Sequence, residues 1–243
     1  MKKYIRTEKY DSNFISENWM GPNPMWLVEE LCENLDLKPG MRVLDMGCGK
    51  GLTSIFLAKE FGVTVFANDL WISATENFER FKQAGVSDLV FPIHAEAHAL
   101  PYADGFFDAA IAIDSYHYFG ADESYFPCTF SKLVKSGGQL GIVVPGLTKE
   151  FEKGYPDTME KFWNSYDGEL FTFHSGAWWR HLWEKTGIAE ITACYDIPDP
   201  KEIWRPWAVW EEQNMDFEIH DTDFLNADTN NDIALIAMSA VKK

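Results

Sequence analysis

Val43-Leu44-Asp45-Met46-Gly47-Cys48-Gly49-Lys50-Gly51 sets three glycines at alternate positions directly after an apolar run, with an aspartate two residues ahead of the first. Glycines at a strand-to-helix turn let backbone N–H groups approach a ligand closely, so phosphate, dinucleotide and adenosyl ligands all stand open. Spacing separates them. A phosphate-binding loop of the form G-x-x-x-x-G-K-[ST] is excluded, because Lys50 is followed by Gly51 and no hydroxyl stands ready for magnesium. A dinucleotide fingerprint, G-x-G-x-x-G, is weakened by Leu52 at its last glycine.

On either side of this stretch, strand-like runs alternate with helical patterns, the arrangement of parallel strands joined by crossover helices. Upstream, "NPMWLVEELCENLDLKPG" opens with Asn23 and Pro24 as helix-start signals, keeps Leu27, Leu31 and Leu35 on one face, and is predicted to run to Pro39-Gly40. "MRVLDM" is strand one. "LTSIFLAKEFG" has helical spacing at Leu52, Ile55, Phe56 and Lys59 and stops at Gly62; "VTVFAND" follows as strand two. Ser73 and Glu76 form a capping box for a helix that ends at Gly85. "LVFPIHA" is strand three, and its Pro92, which lacks a ladder donor, assigns it to a sheet edge. "FDAAIAID" and "QLGIVVP" are strands four and five, around a helix at "ESYFPCTFSKLV" that Pro127 must break or kink, and a Gly137-Gly138 turn. "AEITACYDI" and "DIALIAMSAV" close the series at seven strands.

Composition narrows the function classes. The 243 residues carry 46% apolar content, enough for a sizeable core, and are expected to form one domain. Lys and Arg number 21 against 38 Asp and Glu, a net charge of -17, so nucleic acid is not an expected partner. Cys32, Cys48, Cys128 and Cys194 are scattered without a C-x-x-C pair and are expected to be reduced thiols of a cytoplasmic protein. No run reaches the roughly 18 apolar residues of a membrane span. His94 and His98 sit in a strand-to-loop stretch with no third ligand in view, so no metal is expected.

The glycine stretch resembles motif I of class I S-adenosylmethionine-dependent methyltransferases, of the small-molecule, methyltransferase-11/25-like type. Four further stretches are similar to that family in order: "VFANDLW", "AEAHALPYADGFFD", "AIDSYHYF" and "LVKSGGQLGIVV", with Ser136 in place of the usual proline, Glu96 in place of aspartate and Ala95 in place of glycine. The resemblance covers residues 41 to 145 well and the rest in outline. It implies a Rossmann-like, doubly wound α/β fold with a seven-stranded, mostly parallel sheet and an antiparallel final strand. It also implies S-adenosyl-L-methionine as cofactor, S-adenosyl-L-homocysteine as product, and a small-molecule methyl acceptor.

Carried onto this chain, the resemblance assigns cofactor contacts to Asp45, Gly47, Cys48, Gly49 and Gly51 at the turn. Asp69 is placed at the ribose hydroxyls with Leu70 and Trp71 beside it, Glu96 and Ala97 at the adenine, and Asp114 at the methionine ammonium. His117, past strand four, is the candidate base, and Tyr116 a candidate for orienting the acceptor. Residues 1–38 are expected to be an N-terminal helical cap, 41–145 the cofactor core, and 146–175 and 198–230 aromatic-rich lids that hold Trp163, Trp204, Trp207 and Trp210, with Trp178 and Trp179 also outside the core. The acceptor is expected to be neutral or cationic. Three other readings stay open: a cyclopropane-synthase-like lipid enzyme, an adenosyl-binding module without chemistry, and a nicotinamide (NAD) dehydrogenase.

Overall fold

The computed structural model describes residues 4–151, 157–162 and 169–243. Helix α1 (Ser12–Asn18) is capped by the Asp11 side chain, and α2 (Pro24–Cys32) by Asn23, which accepts from the N–H groups of Met25 and Trp26. Helix α2 stops at Cys32, short of the predicted Pro39-Gly40. There the backbone leaves helical pairing: Glu33 N–H turns back to Glu30 and Leu31, and Asp36 N–H donates to the Gln139 side chain.

The α/β alternation then follows the sequence. Strand β1 (Arg42–Met46) feeds α3 (Leu52–Phe61), which ends at Gly62 with φ +64°, a left-handed position open to glycine. Strand β2 (Thr64–Asp69) leads to α4 (Ala74–Gln83), where Ser73 and Glu76 make both bonds of the capping box. Strands β3 (Val90–His94) and β4 (Phe107–Ile113) precede a short α5 (His117–Gly120). Pro127 lies in the first turn of a widened helical segment, Phe126–Phe130, that continues into α6 (Ser131–Leu133), so the ring meets a turn that can spare its N–H. Strand β5 (Val134–Leu147), α7 (Gly176–Glu184), β6 (Ala189–Asp196), α8 (Pro200–Asn214), α9 (Asp221–Ala227) and β7 (Ile233–Lys242) complete the chain.

One sheet holds all seven strands in the order β3-β2-β1-β4-β5-β7-β6. β3 is an edge strand, as Pro92 requires. β1 through β5 pair in parallel, while β7 runs antiparallel to both β5 and β6, so six strands share one direction. Central strands bury both faces with the two-residue period of a pleat: Val43, Ala109 and Ile111 join a cluster with Leu27, Leu31 and Ile55, and Leu44, Ala110 and Ala112 join Phe126, Trp179 and Trp183. Trp179 and Trp183 are therefore core residues. From β1 the chain winds outward to β2 and β3, then returns to β4 on the other side of β1. Where strand order reverses, the two flanking connections diverge and leave a crevice beyond the carboxyl ends of the strands.

Candidate active site

That crevice is occupied by a cavity of about 300 Å3 at the ends of β1, β2 and β4, a size proper to small-molecule sites. Gly47, Cys48, Gly49, Asp69, Leu70, Trp71, Glu96, Ala97 and Asp114 all line it. Leu70 and Trp71 are exposed apolar side chains at the wall, and Trp71 meets Tyr118 edge-on with centroids 5.5 Å apart. Trp71 is thus free of the core.

The glycine turn uses its own donors. Gly47 and Cys48 N–H both donate to Asn68 O, Gly51 N–H to Cys48 O, and Gly49 N–H to Asp69 Oδ2 at 2.8 Å. These N–H groups hold the turn. Gly47, Gly49 and Gly51 all have positive φ. Gly51 is a packing position, since a Cβ there would lie 2.4 Å from Phe81 Cε1, and it lines neither cavity described here. Helix α3 begins without a side-chain cap, and Leu52 and Thr53 of its first turn line the cavity, where the positive end of the helix favours a carboxylate.

Asp69 accepts three backbone bonds, from Gly49 through Oδ2 and from Trp71 and Ile72 through Oδ1, each at 2.8 Å. A carboxylate offers about four acceptor positions. One is left for a ligand hydroxyl.

Asp45 sits beneath the turn and outside the cavity wall. Its Oδ2 accepts from Thr53 Oγ1 at 2.5 Å and Ser54 Oγ at 2.6 Å, tying β1 to the first turn of α3, while Oδ1 is buried without a partner. Burial pushes its carboxyl up to about 6, against the pull of the Ser54 and Thr53 hydroxyls. Glu96 turns to His98, accepting from its N–H at 2.9 Å and pairing with Nδ1 at 2.7 Å, which holds its carboxyl below the ordinary range.

A second cavity of about 190 Å3 adjoins the first, and the two share Met20, Gly21, Pro22, Asp114 and Tyr118. Asp114 has φ +54° and is pushed well above the ordinary carboxylate range by burial first, then by Glu169 and Asp221. Neither His117 nor Tyr116 lines either cavity. His117 is fully buried, with Nε2 3.2 Å from Glu169 Oε1, and burial lowers its imidazole below the ordinary value. Tyr116 is packed among Phe119, Tyr125, Phe130, Trp179 and Trp183, and burial raises its phenol. Tyr118 lines both cavities and donates its hydroxyl to Glu169 Oε1 at 3.0 Å, and Glu169 lines the second. Trp204 and Trp207 line the second cavity; Trp210 stacks on Trp207, Trp178 stacks on His174, and Trp163 lies outside the described residues.

Strand order, the reversal at β1 and β4, and the glycine turn with an acidic residue ending β2 are those of the class I S-adenosylmethionine-dependent methyltransferase fold. Residues 44–142 match the methyltransferase-domain family. It is 34% identical over 117 residues to the methyltransferase GfsG of Streptomyces halstedii, covering 48% of this chain and 42% of that protein. It is 33% identical over 115 residues to phosphoethanolamine N-methyltransferase 1 of Zea mays, covering 47% of this chain and 23% of that one. The chain thus spans less than half the length of these relatives. The geranyl diphosphate C-methyltransferase of Streptomyces coelicolor superimposes with a TM-score of 0.71 at 15% identity, over 89% of this chain and 77% of its own, a likeness of fold. No helix among the described residues is long and apolar enough to cross a membrane.

Proposed function

We propose that the chain transfers a methyl group from S-adenosyl-L-methionine to a small molecule held in the second cavity. The observation that carries this reading is the wall shared by the two cavities at Gly21, Asp114 and Tyr118, which sets a cofactor-sized space against a smaller one.

The residues present fit the cofactor. Asp69 keeps an acceptor position for a ribose hydroxyl, Leu70 and Trp71 give an apolar slot for a flat base, and the uncapped start of α3 suits an amino-acid carboxylate. Gly47, Cys48 and Gly49 form the floor, with Glu96 and Ala97 at the base end and Asp114 at the acceptor end; Asp45 and Gly51 act through the turn they hold. Bound there, S-adenosylmethionine supplies a methyl carbon activated by its sulfonium charge.

The chain's own contribution is alignment and exclusion of water. Lys50 Nζ donates to Glu17 O at 3.1 Å and Arg80 Nε to Asn18 Oδ1 at 3.1 Å, fastening the N-terminal segment over the first cavity. Trp19 then meets Trp207 and Trp210 edge-on at 6.3 and 6.2 Å, joining that segment to α8. Holding two reactants in attack geometry removes about 7–11 kcal/mol of barrier in the best intramolecular cases, so no strong base is required. Where a proton must leave, Glu169 stands on the acceptor side. His117, kept neutral by burial, donates from Nε2 and positions it.

The four cysteines are unpaired, in keeping with a reducing, cytoplasmic setting. Incubation with methyl-labelled S-adenosylmethionine and fractionated host metabolites tests the proposal. Label is expected in the low-molecular-mass fraction; saturable labelling confined to RNA, protein or lipid overturns it.

A further inference from the structure

The described wall of the second cavity carries four carboxylates, Asp114, Glu169, Glu211 and Asp221, and no lysine, arginine or histidine. Partners within the protein account for part of this acidity. Glu169 Oε1 serves Tyr118 and His117, and Asp221 Oδ2 accepts both indole N–H groups of Trp204 and Trp207, at 2.9 and 2.8 Å. Glu211 differs. It is 3% exposed; Oε1 pairs with His220 Nδ1 at 2.9 Å, but Oε2 is buried with no hydrogen-bond partner among the described residues. A carboxylate oxygen so placed is costly unless a ligand supplies the missing donor or charge.

Charge counting gives the same direction. His220 lies outside the wall, and its bond to Glu211 raises its imidazole toward the charged form, while His117 is held neutral. Among the described residues, at most one imidazolium stands against these four acidic side chains, of which burial holds Asp114 toward its neutral form. Between the acids stand Phe173, Trp204, Trp207, Phe217 and Phe224, whose ring faces attract cations. Among the described residues no group of three His, Cys, Asp or Glu side chains is placed to hold a metal ion. Carboxylates spaced between rings suit an organic cation, whose charge is spread over C–H and N–H groups.

We infer, resting on the methyl-transfer reading above, that the second cavity takes its acceptor by a cationic nitrogen, as a small alkylammonium compound with Glu211 as its charge partner and Trp204 and Trp207 as its walls. The acidic field of the whole chain, net -17, draws such a molecule in and turns polyanions away.

The test uses the full chain saturated with S-adenosylhomocysteine and two probes of equal shape, choline and its neutral carbon isostere 3,3-dimethylbutan-1-ol, titrated by calorimetry. Choline is expected to bind at least tenfold more tightly. Glu211→Gln, which keeps the side-chain shape and an acceptor for His220, is expected to abolish that preference and leave S-adenosylhomocysteine affinity unchanged. Should that variant fail to fold, Phe217→Leu, at an exposed ring, is expected to lower choline affinity severalfold and the alcohol's little. Equal affinity for the two probes in the wild type, or an undiminished preference in the folded variants, overturns the cation assignment and leaves methyl transfer standing. Loss of S-adenosylhomocysteine binding by the wild type would instead overturn the methyl-transfer reading.

Discussion

Gly21 backs directly onto the carboxylate of Asp114: a Cβ at position 21 would stand 2.1 Å from Asp114 Oδ2. Backbone of the N-terminal segment thereby closes against the Asp114 carboxyl group on the wall between the two cavities. Gly21→Ala must displace either that carboxylate or the segment. It is expected to cost little stability, because the clash falls on the end of one side chain, yet to lower turnover at least tenfold. Thermal unfolding and steady-state kinetics on the same preparation check this; full turnover with an unshifted melting temperature would show that the contact has no functional part.

Asp45 provides a pH signature. Its folded carboxyl, pushed up to about 6 by burial from an ordinary 3.8, lies above the unfolded value. The native state therefore binds this proton more tightly, so the group's contribution is most favourable below about pH 4 and is lost as pH rises through 6. The ionised form costs on the order of 3 kcal/mol near neutrality. Asp45→Asn is expected to gain stability relative to the wild type by about 2–3 kcal/mol between pH 4 and 8, read from urea unfolding at each pH. A difference that does not change with pH would contradict the burial argument.

Much of this molecule is legible in its sequence because the signals are local. Pro92 put β3 at an edge, Ser73 and Glu76 set the start of α4, and Gly62 marked the end of α3, each through one or two neighbouring backbone bonds. The candidate site was legible where it hangs on strand ends: Gly47, Gly49, Asp69 and Asp114 all line the first cavity. It was not legible at the helix after β4, since successive helical residues point about 100° apart and no pattern shows which of Tyr116, His117 and Tyr118 faces the ligand. Glu169, Glu211 and Asp221 were beyond reach for another reason. They come from three separate segments, Glu169 ahead of α7, Glu211 in α8 and Asp221 at the start of α9, which meet only at the wall of the second cavity.

The exchange of roles around α5 gives a paired prediction. Tyr116 is buried, and its hydroxyl makes no hydrogen bond among the described residues, so Tyr116→Phe removes an unpaired polar group from an apolar cluster. Its stability is expected to hold or rise by up to about 1 kcal/mol, with turnover unchanged. Tyr118→Phe keeps the ring against Trp71 but deletes the bond to Glu169. Turnover is expected to fall about tenfold with S-adenosylhomocysteine affinity nearly constant. The reverse pattern in the two variants would return the site to Tyr116.

Asp69 and Gly51 separate ligand binding from support of the turn. Asp69→Asn replaces one acceptor oxygen with an amide NH2, and either orientation sets a donor against a donor: against Gly49 N–H, or against those of Trp71 and Ile72. The single bond is the smaller loss, so the amide should face Gly49, loosening the glycine turn at the cavity floor and withdrawing the charge that faces a ribose hydroxyl. Hydrogen bonds to charged groups contribute about 1.5–3 kcal/mol, which corresponds to a tenfold to hundredfold loss of S-adenosylhomocysteine affinity by calorimetry. Gly51→Ala acts elsewhere. With φ +82° and a Cβ 2.4 Å from the Phe81 ring, it strains the start of α3 and the packing of α4, and is expected to lower the melting temperature first. The two variants should therefore fall on different axes, affinity for Asp69 and stability for Gly51. A folded Asp69→Asn that binds S-adenosylhomocysteine as tightly as the wild type would remove Asp69 from the cofactor site and reopen what the glycine turn is for.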